Sequence, residues 1–281
     1  MKNKSKFKKI ILGVIIVLVL IFAGLFVAFK IYTGNYYNAD NAVISELADD
    51  LSEEVHTFTA PEGMVFLPQN QEYRAVIVFY PGAKVEYTAY SGLMYRLSER
   101  GYICLLPKMA DNVALLSINA VDTLKAARPD ESDSVENLDW YLAGHSLGGV
   151  AATRYLAEWT QGTESGAHSE KWTPGTESGA HFSGEYKGVI LCASYPMDSL
   201  AGTDMRLLSI LGSNDTVVNM KNYEDSKKNW PADATEYVIQ GGIHSYFGNY
   251  GIQKGDGEPE ITADRQLDET AEVIDEWIAG N

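Results

Sequence analysis

The chain begins with one long apolar segment. Ile10–Phe29 is a run of twenty residues without a charged or strongly polar side chain, which at about 1.5 Å per residue crosses a hydrocarbon core of about 30 Å. Residues 1–30 hold six lysines and no acid, so the positive-inside bias predicts a cytoplasmic N-terminus. A cleaved secretory signal is the alternative, but the run is long for one and no small-x-small site closes it. We therefore expect an uncleaved single-pass anchor with the remainder of the chain on the extracytoplasmic side.

Short apolar runs alternate with helix-forming stretches after the anchor. Ala75–Tyr80 is typical, because it is too short for a helix and Pro81-Gly82 ends it, as expected of a strand buried on both faces. The other predicted strands are Val55–Thr59, Met64–Leu67, Tyr102–Leu106, Leu138–Ala143, Val189–Ala193, Leu207–Leu211 and Thr235–Ile239. The predicted helices are Tyr87–Arg100, Val113–Ala127, Val150–Trp159, Val217–Trp230 and Ala263–Ala279. This alternation predicts an α/β fold with a mostly parallel, doubly wound sheet flanked by helices.

The predicted organisation has three parts. Residues 1–30 form the lysine-rich tail and anchor, residues 31–60 a stalk or first helix, and residues 61–281 the main domain. Within that domain a seven-residue sequence, Gly-Thr-Glu-Ser-Gly-Ala-His, occurs at 162–168 and again at 175–181. Such a short repeat indicates a local duplication in a surface loop, residues 162–184. A metal site on its side chains is the functional alternative, using Glu164, His168, Glu177 and His181. No regular metal-ligand spacing supports it, so we expect no metal and no cofactor.

Composition narrows the partners and the redox state. A length of 281 residues with 46% hydrophobic residues suits one well-filled domain. The formal charge is -16, and without the six N-terminal lysines the rest of the chain has 16 basic against 38 acidic residues. Such a surface repels nucleic acid and anionic headgroups. Cys104 and Cys192 lie inside predicted strands, which favours buried thiols over a disulfide.

One motif carries candidate chemistry. Gly144-His145-Ser146-Leu147-Gly148 follows an apolar run and precedes a helix-forming stretch. This is the form of a serine held on a tight strand-to-helix turn, where the glycines make room for a strained backbone. Three fixed positions recur by chance in roughly one chain in ten of this length, given ordinary glycine and serine frequencies. The surroundings therefore decide.

Polar residues at the ends of later strands complete a possible catalytic set. Ligands and catalytic groups gather at the carboxyl ends of strands in open α/β sheets. Asp215 follows the strand Leu207–Leu211, and His244 follows the strand ending at Ile239. Asp198 is the rival acid, and Asp215 has an alternative role as a helix cap. The other histidines precede the sheet, occupy a variable motif position or belong to the duplicated loop, namely His56, His145, His168 and His181.

These residues suit acyl transfer to a serine. A serine hydroxyl needs a base within hydrogen-bond reach, and the base needs a carboxylate that fixes its tautomer. Ser146, His244 and Asp215 supply these three groups. An oxyanion hole needs two backbone N–H donors, and we expect them from Leu147, directly after the nucleophile, and Ala83, with Gly82 as the next choice.

On these motifs the chain resembles the α/β-hydrolase family. The resemblance rests on Gly-His-Ser-Leu-Gly-Gly at 144–149, Leu-Gly-Ser-Asn-Asp at 211–215 and Gly-Gly-Ile-His at 241–244, and it covers about residues 64–280. It implies an α/β-hydrolase fold and a metal-independent esterase, lipase, thioesterase or peptidase. The most similar branch is the dienelactone-hydrolase-like group, whose named enzymes use cysteine where this chain has Ser146.

The sequence thus predicts a membrane-anchored, extracytoplasmic serine hydrolase that cleaves a small-molecule carboxylic ester or related acyl compound. An acyltransferase or thioesterase would use the same triad. A non-catalytic binding protein on the same fold is the alternative from another class.

Overall fold

A computed structural model describes residues 2–126, 138–164 and 185–280. The duplicated loop lies outside these residues, apart from its first three positions. The chain divides into two compact units, Met1–Tyr36 and Tyr37–Asn281. The first unit contains helix α1, Lys2–Gly34. Its segment Ile11–Gly34 contains an 18-residue window with a mean hydropathy of 3.2 and no buried residue, so by length and composition it is a candidate membrane span or signal sequence.

The second unit is built on an eight-stranded sheet in the order β1-β2-β4-β3-β5-β6-β7-β8. The strands are β1 Val55–Ala60, β2 Gly63–Pro68, β3 Ala75–Tyr80, β4 Tyr102–Pro107, β5 Trp140–His145, β6 Tyr186–Cys192, β7 Arg206–Gly212 and β8 Asp233–Ile239. Strand β2 is antiparallel to both neighbours, and β3 to β8 are mutually parallel. The predicted α/β class with a mostly parallel sheet is confirmed.

Six further helices are described in this unit. They are α2 Asn41–Asp50, α3 Ser91–Ser98, α4 Ala120–Ala126, α5 Leu147–Glu164, α6 Met220–Ser226 and α7 Ala263–Ala279. Alternate residues of a strand face opposite sides of the sheet, and β3 shows the result. Ile77 packs in one core cluster with α3 and α7, and Val78 packs in the other with α5. Both faces of the sheet are therefore covered.

Two predicted helices are broken in the structure. Tyr87–Arg100 is a 3₁₀ turn at Tyr87–Tyr90 followed by α3. The prediction of a helix over Val113–Ala127 is wrong for its first half, which contains a 3₁₀ turn at Ala114–Leu116 before α4 begins at Ala120. Just before it, Asp111 and Asn112 both have φ of 53°. Left-handed backbone cannot continue an α-helix, and side chains such as these tolerate it locally.

Two other predicted helices have different bounds. The helix predicted from Val217 begins only at Met220, because the N–H groups of Val217 and Val218 bond the Asp215 carboxylate and Asn219 caps the helix. The helix after the serine motif is longer than predicted and begins directly at Leu147. Both differences concern loops at the carboxyl edge of the sheet.

Candidate active site

Ser146 occupies a strained turn between β5 and α5. Its φ is 52°, a region that non-glycine residues enter at an energetic cost and that is enriched at active sites. The turn needs two glycines, because backbone segments approach each other closely beside it. A Cβ at Gly148 would lie 2.0 Å from the carbonyl oxygen of Tyr80, and one at Gly144 would lie 2.5 Å from the carbonyl carbon of Gly148. Only glycine fits at these two motif positions.

The loop after β6 holds this turn from the other side. The Ser146 N–H donates to the carbonyl oxygen of Cys192 at 3.0 Å. The buried Ser194 hydroxyl donates to the carbonyl oxygen of Ser146 at 2.6 Å. The backbone of the serine is thus fixed by the end of β6 and the loop that follows it, while its side chain is half-buried.

Asp215 and His244 form a buried pair across the ends of β7 and β8. The Nδ1 atom of His244 lies 2.8 Å from Oδ2 of Asp215, and both side chains are 3% exposed. The second carboxylate oxygen, Oδ1, accepts the N–H groups of Val217 and Val218 at 2.7 and 2.9 Å. Asp215 therefore organises its own turn and orients the imidazole, so the capping role and the histidine contact coexist.

His145 lies between this pair and the serine turn, because it precedes Ser146 in the chain and its ring contacts that of His244. The ring of His145, the residue before Ser146, lies 4.5 Å from the ring of His244, measured between centroids. No hydrogen bond joins the Ser146 hydroxyl to His244 within the part of the chain that is described. Catalytic hydrogen bonds are commonly longer in substrate-free structures and tighten in the substrate complex.

The rival acid is placed differently. Asp198 lies in the loop after β6 and makes no hydrogen bond to His244, whose imidazole contacts the carboxylate of Asp215. Of the other histidines, His56 is exposed on β1. His168 and His181 fall outside the described residues. Among all the residues that the structure describes, no group of three or more His, Cys, Asp or Glu side chains could hold a metal ion.

The turn after β3 contains the two residues expected to supply an oxyanion donor, Gly82 and Ala83. The N–H of Gly82 donates to the hydroxyl oxygen of Tyr90 at 3.0 Å, so it is not available to a substrate. No hydrogen bond among the described residues uses the N–H of Ala83 or that of Leu147. Of the two candidates in this turn, Ala83 is therefore the one whose N–H is unoccupied.

One protein-family model matches most of the second unit. The model of the alpha/beta hydrolase family matches residues 76–165 and 176–268, more than half of the chain. The chain belongs to the alpha/beta hydrolase family. A search of curated proteins finds no match. The dienelactone-hydrolase-like branch stays a prediction.

This alpha/beta hydrolase has a buried Tyr90–His145 pair that the motif did not reveal. The Tyr90 hydroxyl lies 2.8 Å from His145 Nδ1. Burial is the main cause that holds the pKa of His145 well below its ordinary value, and the electrostatic effect of the neighbouring His244 ring lowers this pKa further. A hydrogen bond to the His244 backbone acts in the opposite direction. His145 is therefore neutral. We assign the Tyr90 hydroxyl as the donor to Nδ1, because this gives the phenol proton an acceptor.

A second carboxylate supports the histidine loop of this alpha/beta hydrolase. Asp256 accepts the N–H of His244 at 3.1 Å, that of Ser245 at 2.7 Å and that of Gly257 at 2.8 Å. It also accepts the Ser245 hydroxyl. Sequence reasoning missed Asp256, because it lies mid-loop, 12 positions after His244, and no motif marks it.

Proposed function

We propose that this protein is a membrane-anchored, extracytoplasmic serine hydrolase that cleaves a carboxylic ester through Ser146, His244 and Asp215. The observation that carries the proposal is the buried hydrogen bond, 2.8 Å long, between His244 Nδ1 and Asp215 Oδ2. It fixes the tautomer that leaves Nε2 as the basic atom. The strained backbone of Ser146 supports the nucleophile, and membership of the alpha/beta hydrolase family supports hydrolysis as the reaction class.

In the proposed reaction Ser146 Oγ attacks the acyl carbonyl carbon while His244 Nε2 takes the hydroxyl proton. The N–H groups of Leu147 and Ala83 stabilise the oxyanion. His244 then returns the proton to the departing alkoxide, which leaves as an alcohol, and an acyl-serine remains. A water molecule attacks this acyl group, His244 accepts its proton, and return of that proton to Ser146 releases the carboxylic acid.

The anchoring part of the proposal rests on α1. The helix is apolar over Ile11–Gly34, and lysines precede this segment, an asymmetry that favours a cytoplasmic N-terminus. The second unit would then be extracytoplasmic. Protease added outside intact cells should digest the second unit, and protection of this unit until the cells are lysed would contradict the orientation.

Turnover of p-nitrophenyl acetate and butyrate by the full-length protein tests the chemistry. We expect Ser146→Ala and His244→Ala to abolish enzymatic hydrolysis and Asp215→Asn to lower kcat by roughly 10⁴-fold, because the imidazole loses its correct tautomer. Asp198→Asn is the matched control and should retain activity. A fluorophosphonate probe should label the wild type at Ser146. A folded wild type that neither turns over ester nor reacts with the probe would favour the binding-protein alternative.

A further inference from the structure

Most of the exposed apolar side chains after α1 lie in segments that follow the parallel strands of the sheet. Ten large hydrophobic side chains after α1 are exposed among the described residues, and six of them follow parallel strands. Two follow β4, one follows β6, two follow β7 and one follows β8: Leu115, Leu116, Met197, Val217, Met220 and Ile252. We call these six side chains the apolar rim.

The apolar rim shares its edge with the active site. Strands β3 to β8 are parallel, so all their carboxyl ends lie at one edge. Ser146, Asp215 and His244 follow the same set of strands. Met197 is 68% exposed and Ile252 is 50% exposed. Exposed apolar side chains concentrated around a site mark a surface that meets an apolar partner.

The residues that follow α1 are bonded to two loops of this edge. The N–H of Tyr37 donates to the carbonyl oxygen of Lys84 at 2.8 Å, and the N–H of Glu86 donates to the carbonyl oxygen of Tyr37 at 2.9 Å. The Tyr37 hydroxyl accepts the N–H of Lys254 at 2.9 Å. Tyr37 thereby joins the loop after β3, which holds Ala83, to the loop after β8, which holds His244.

The chain allows little distance between this attachment and the apolar helix. Helix α1 ends at Gly34, and only Asn35 and Tyr36 precede Tyr37. Three peptide steps reach at most about 10 Å. This limit follows from chain length alone, whatever the arrangement of the two units.

We propose that the apolar rim rests on the bilayer that holds α1 and that the substrate is an amphiphilic long-chain ester drawn from that bilayer. This inference rests on the proposed function and specifies its substrate class. The excess of acidic residues also indicates which head-group charge the substrate should carry. With 16 basic against 38 acidic residues after residue 30, the domain repels anionic lipid surfaces, so an ester with an uncharged or zwitterionic head group is the favoured substrate.

The test compares two esters in one sample of full-length protein in phosphatidylcholine vesicles. p-Nitrophenyl dodecanoate partitions into the bilayer, and p-nitrophenyl acetate stays in water. The double substitution Met197→Gln, Ile252→Gln removes two apolar contacts with lipid and should lower the ratio of dodecanoate to acetate turnover about tenfold. Val238→Gln is the matched control. Val238 is 45% exposed but lies within the edge strand β8 and not in a segment that follows a strand, and its substitution should leave the ratio unchanged.

A longer connection between the units provides a second arm. Inserting about 30 Gly and Ser residues between Asn35 and Tyr36 gives a flexible reach of roughly 30 Å. The effective concentration of the rim at the bilayer then falls, so the ratio should fall several-fold. In the wild type, adding phosphatidylglycerol to the vesicles should also lower dodecanoate turnover, and salt should restore it.

The outcomes separate the two proposals. If acetate turnover is present and both the rim substitutions and the insertion leave the ratio unchanged, the bilayer inference is overturned and the hydrolase proposal stands. An equal fall in the Val238→Gln control also overturns it, because the effect would not belong to the rim. Absence of acetate turnover in the folded wild type overturns the proposed function itself.

Discussion

The hydroxyl of Tyr90 serves two buried groups at once. It accepts the N–H of Gly82 and lies within hydrogen-bond distance of His145 Nδ1. Gly82 directly precedes Ala83, so the same hydroxyl fixes the turn that would present the Ala83 N–H to an oxyanion. Tyr90 is thus a positioning residue for the proposed oxyanion hole, although it donates nothing to the substrate.

Replacing Tyr90 by Phe should impair catalysis more than binding. The change leaves the Gly82 N–H and His145 Nδ1 without a partner, which costs about 1–3 kcal/mol of folding stability. We expect kcat for p-nitrophenyl butyrate to fall about tenfold or more, with KM nearly constant, because a displaced donor weakens transition-state stabilisation. Steady-state kinetics and urea unfolding measure the two effects.

Tyr223→Phe is the control for this substitution. The Tyr223 hydroxyl is bonded to Ser209 and Glu236, away from the serine turn. It should lower stability without lowering kcat. A Tyr90→Phe protein with normal kcat would mean that the turn is held by its own backbone.

Single residues differ in how far the sequence could predict them. Ser146, Asp215 and His244 could be proposed because each follows a strand whose apolar run is visible, and all parallel strands end at one edge. Tyr90, His145 and Asp256 carry no such signal. Their roles depend on distances between loops far apart in the chain, such as the 55 positions between Tyr90 and His145.

The loop from His244 to Gly257 contains a carboxylate that bonds both of its ends. Asp256 accepts three backbone N–H groups and one hydroxyl within this loop. An ionised carboxylate suits this role, because it offers only acceptors. Asp256 thereby fixes the backbone at His244, while Asp215 orients its imidazole.

Asp256→Asn should therefore lower activity from a distance. An amide replaces one acceptor oxygen with a donor that faces N–H groups, so the loop must shift. A displacement of about 1 Å in a catalytic group can cost on the order of 100-fold in rate, and we expect kcat to fall toward that extent. Glu258→Gln, an exposed change directly after this loop, is the control. Equal kcat in the two variants would show that Asp256 does not position His244.

Elements were predictable where one pattern covers their whole length. The helix Ala263–Ala279 has the same bounds in sequence and structure, and so does the strand Ala75–Tyr80. Helix starts at the carboxyl edge were not. Asp111 and Asn112 adopt left-handed backbone, and Asp215 takes the N–H groups that would have begun a helix. Local side-chain bonding overrides apolar periodicity at these places.

At the scale of the molecule, both cysteines are enclosed in the same one of the two cores, the one on the face of the sheet that α3 and α7 cover. Cys104 and Cys192 are free and buried, and burial raises the pKa of each thiol. Neutral, enclosed thiols are poor nucleophiles. The domain therefore holds its fold without a covalent crosslink between these two residues.

Thiol titration checks this arrangement. The native protein should react with neither equivalent of Ellman's reagent on the minute scale, and guanidinium should expose two. The free energy of unfolding should be the same with and without dithiothreitol. Fewer than two reactive thiols in guanidinium, or a loss of stability on reduction, would indicate a disulfide instead.

The attachment of Tyr37 to two loops also makes the effect of proteolysis depend on where the chain is cut. A protease that cuts between Gly34 and Tyr37 would free the second unit with its Lys84, Glu86 and Lys254 contacts intact. A cut a few residues later, before α2 begins at Asn41, would detach Tyr37 from the folded unit and loosen the loops that carry Ala83 and His244. Within one short stretch of chain, the position of a single cleavage would decide between a shed, working hydrolase and a disabled one.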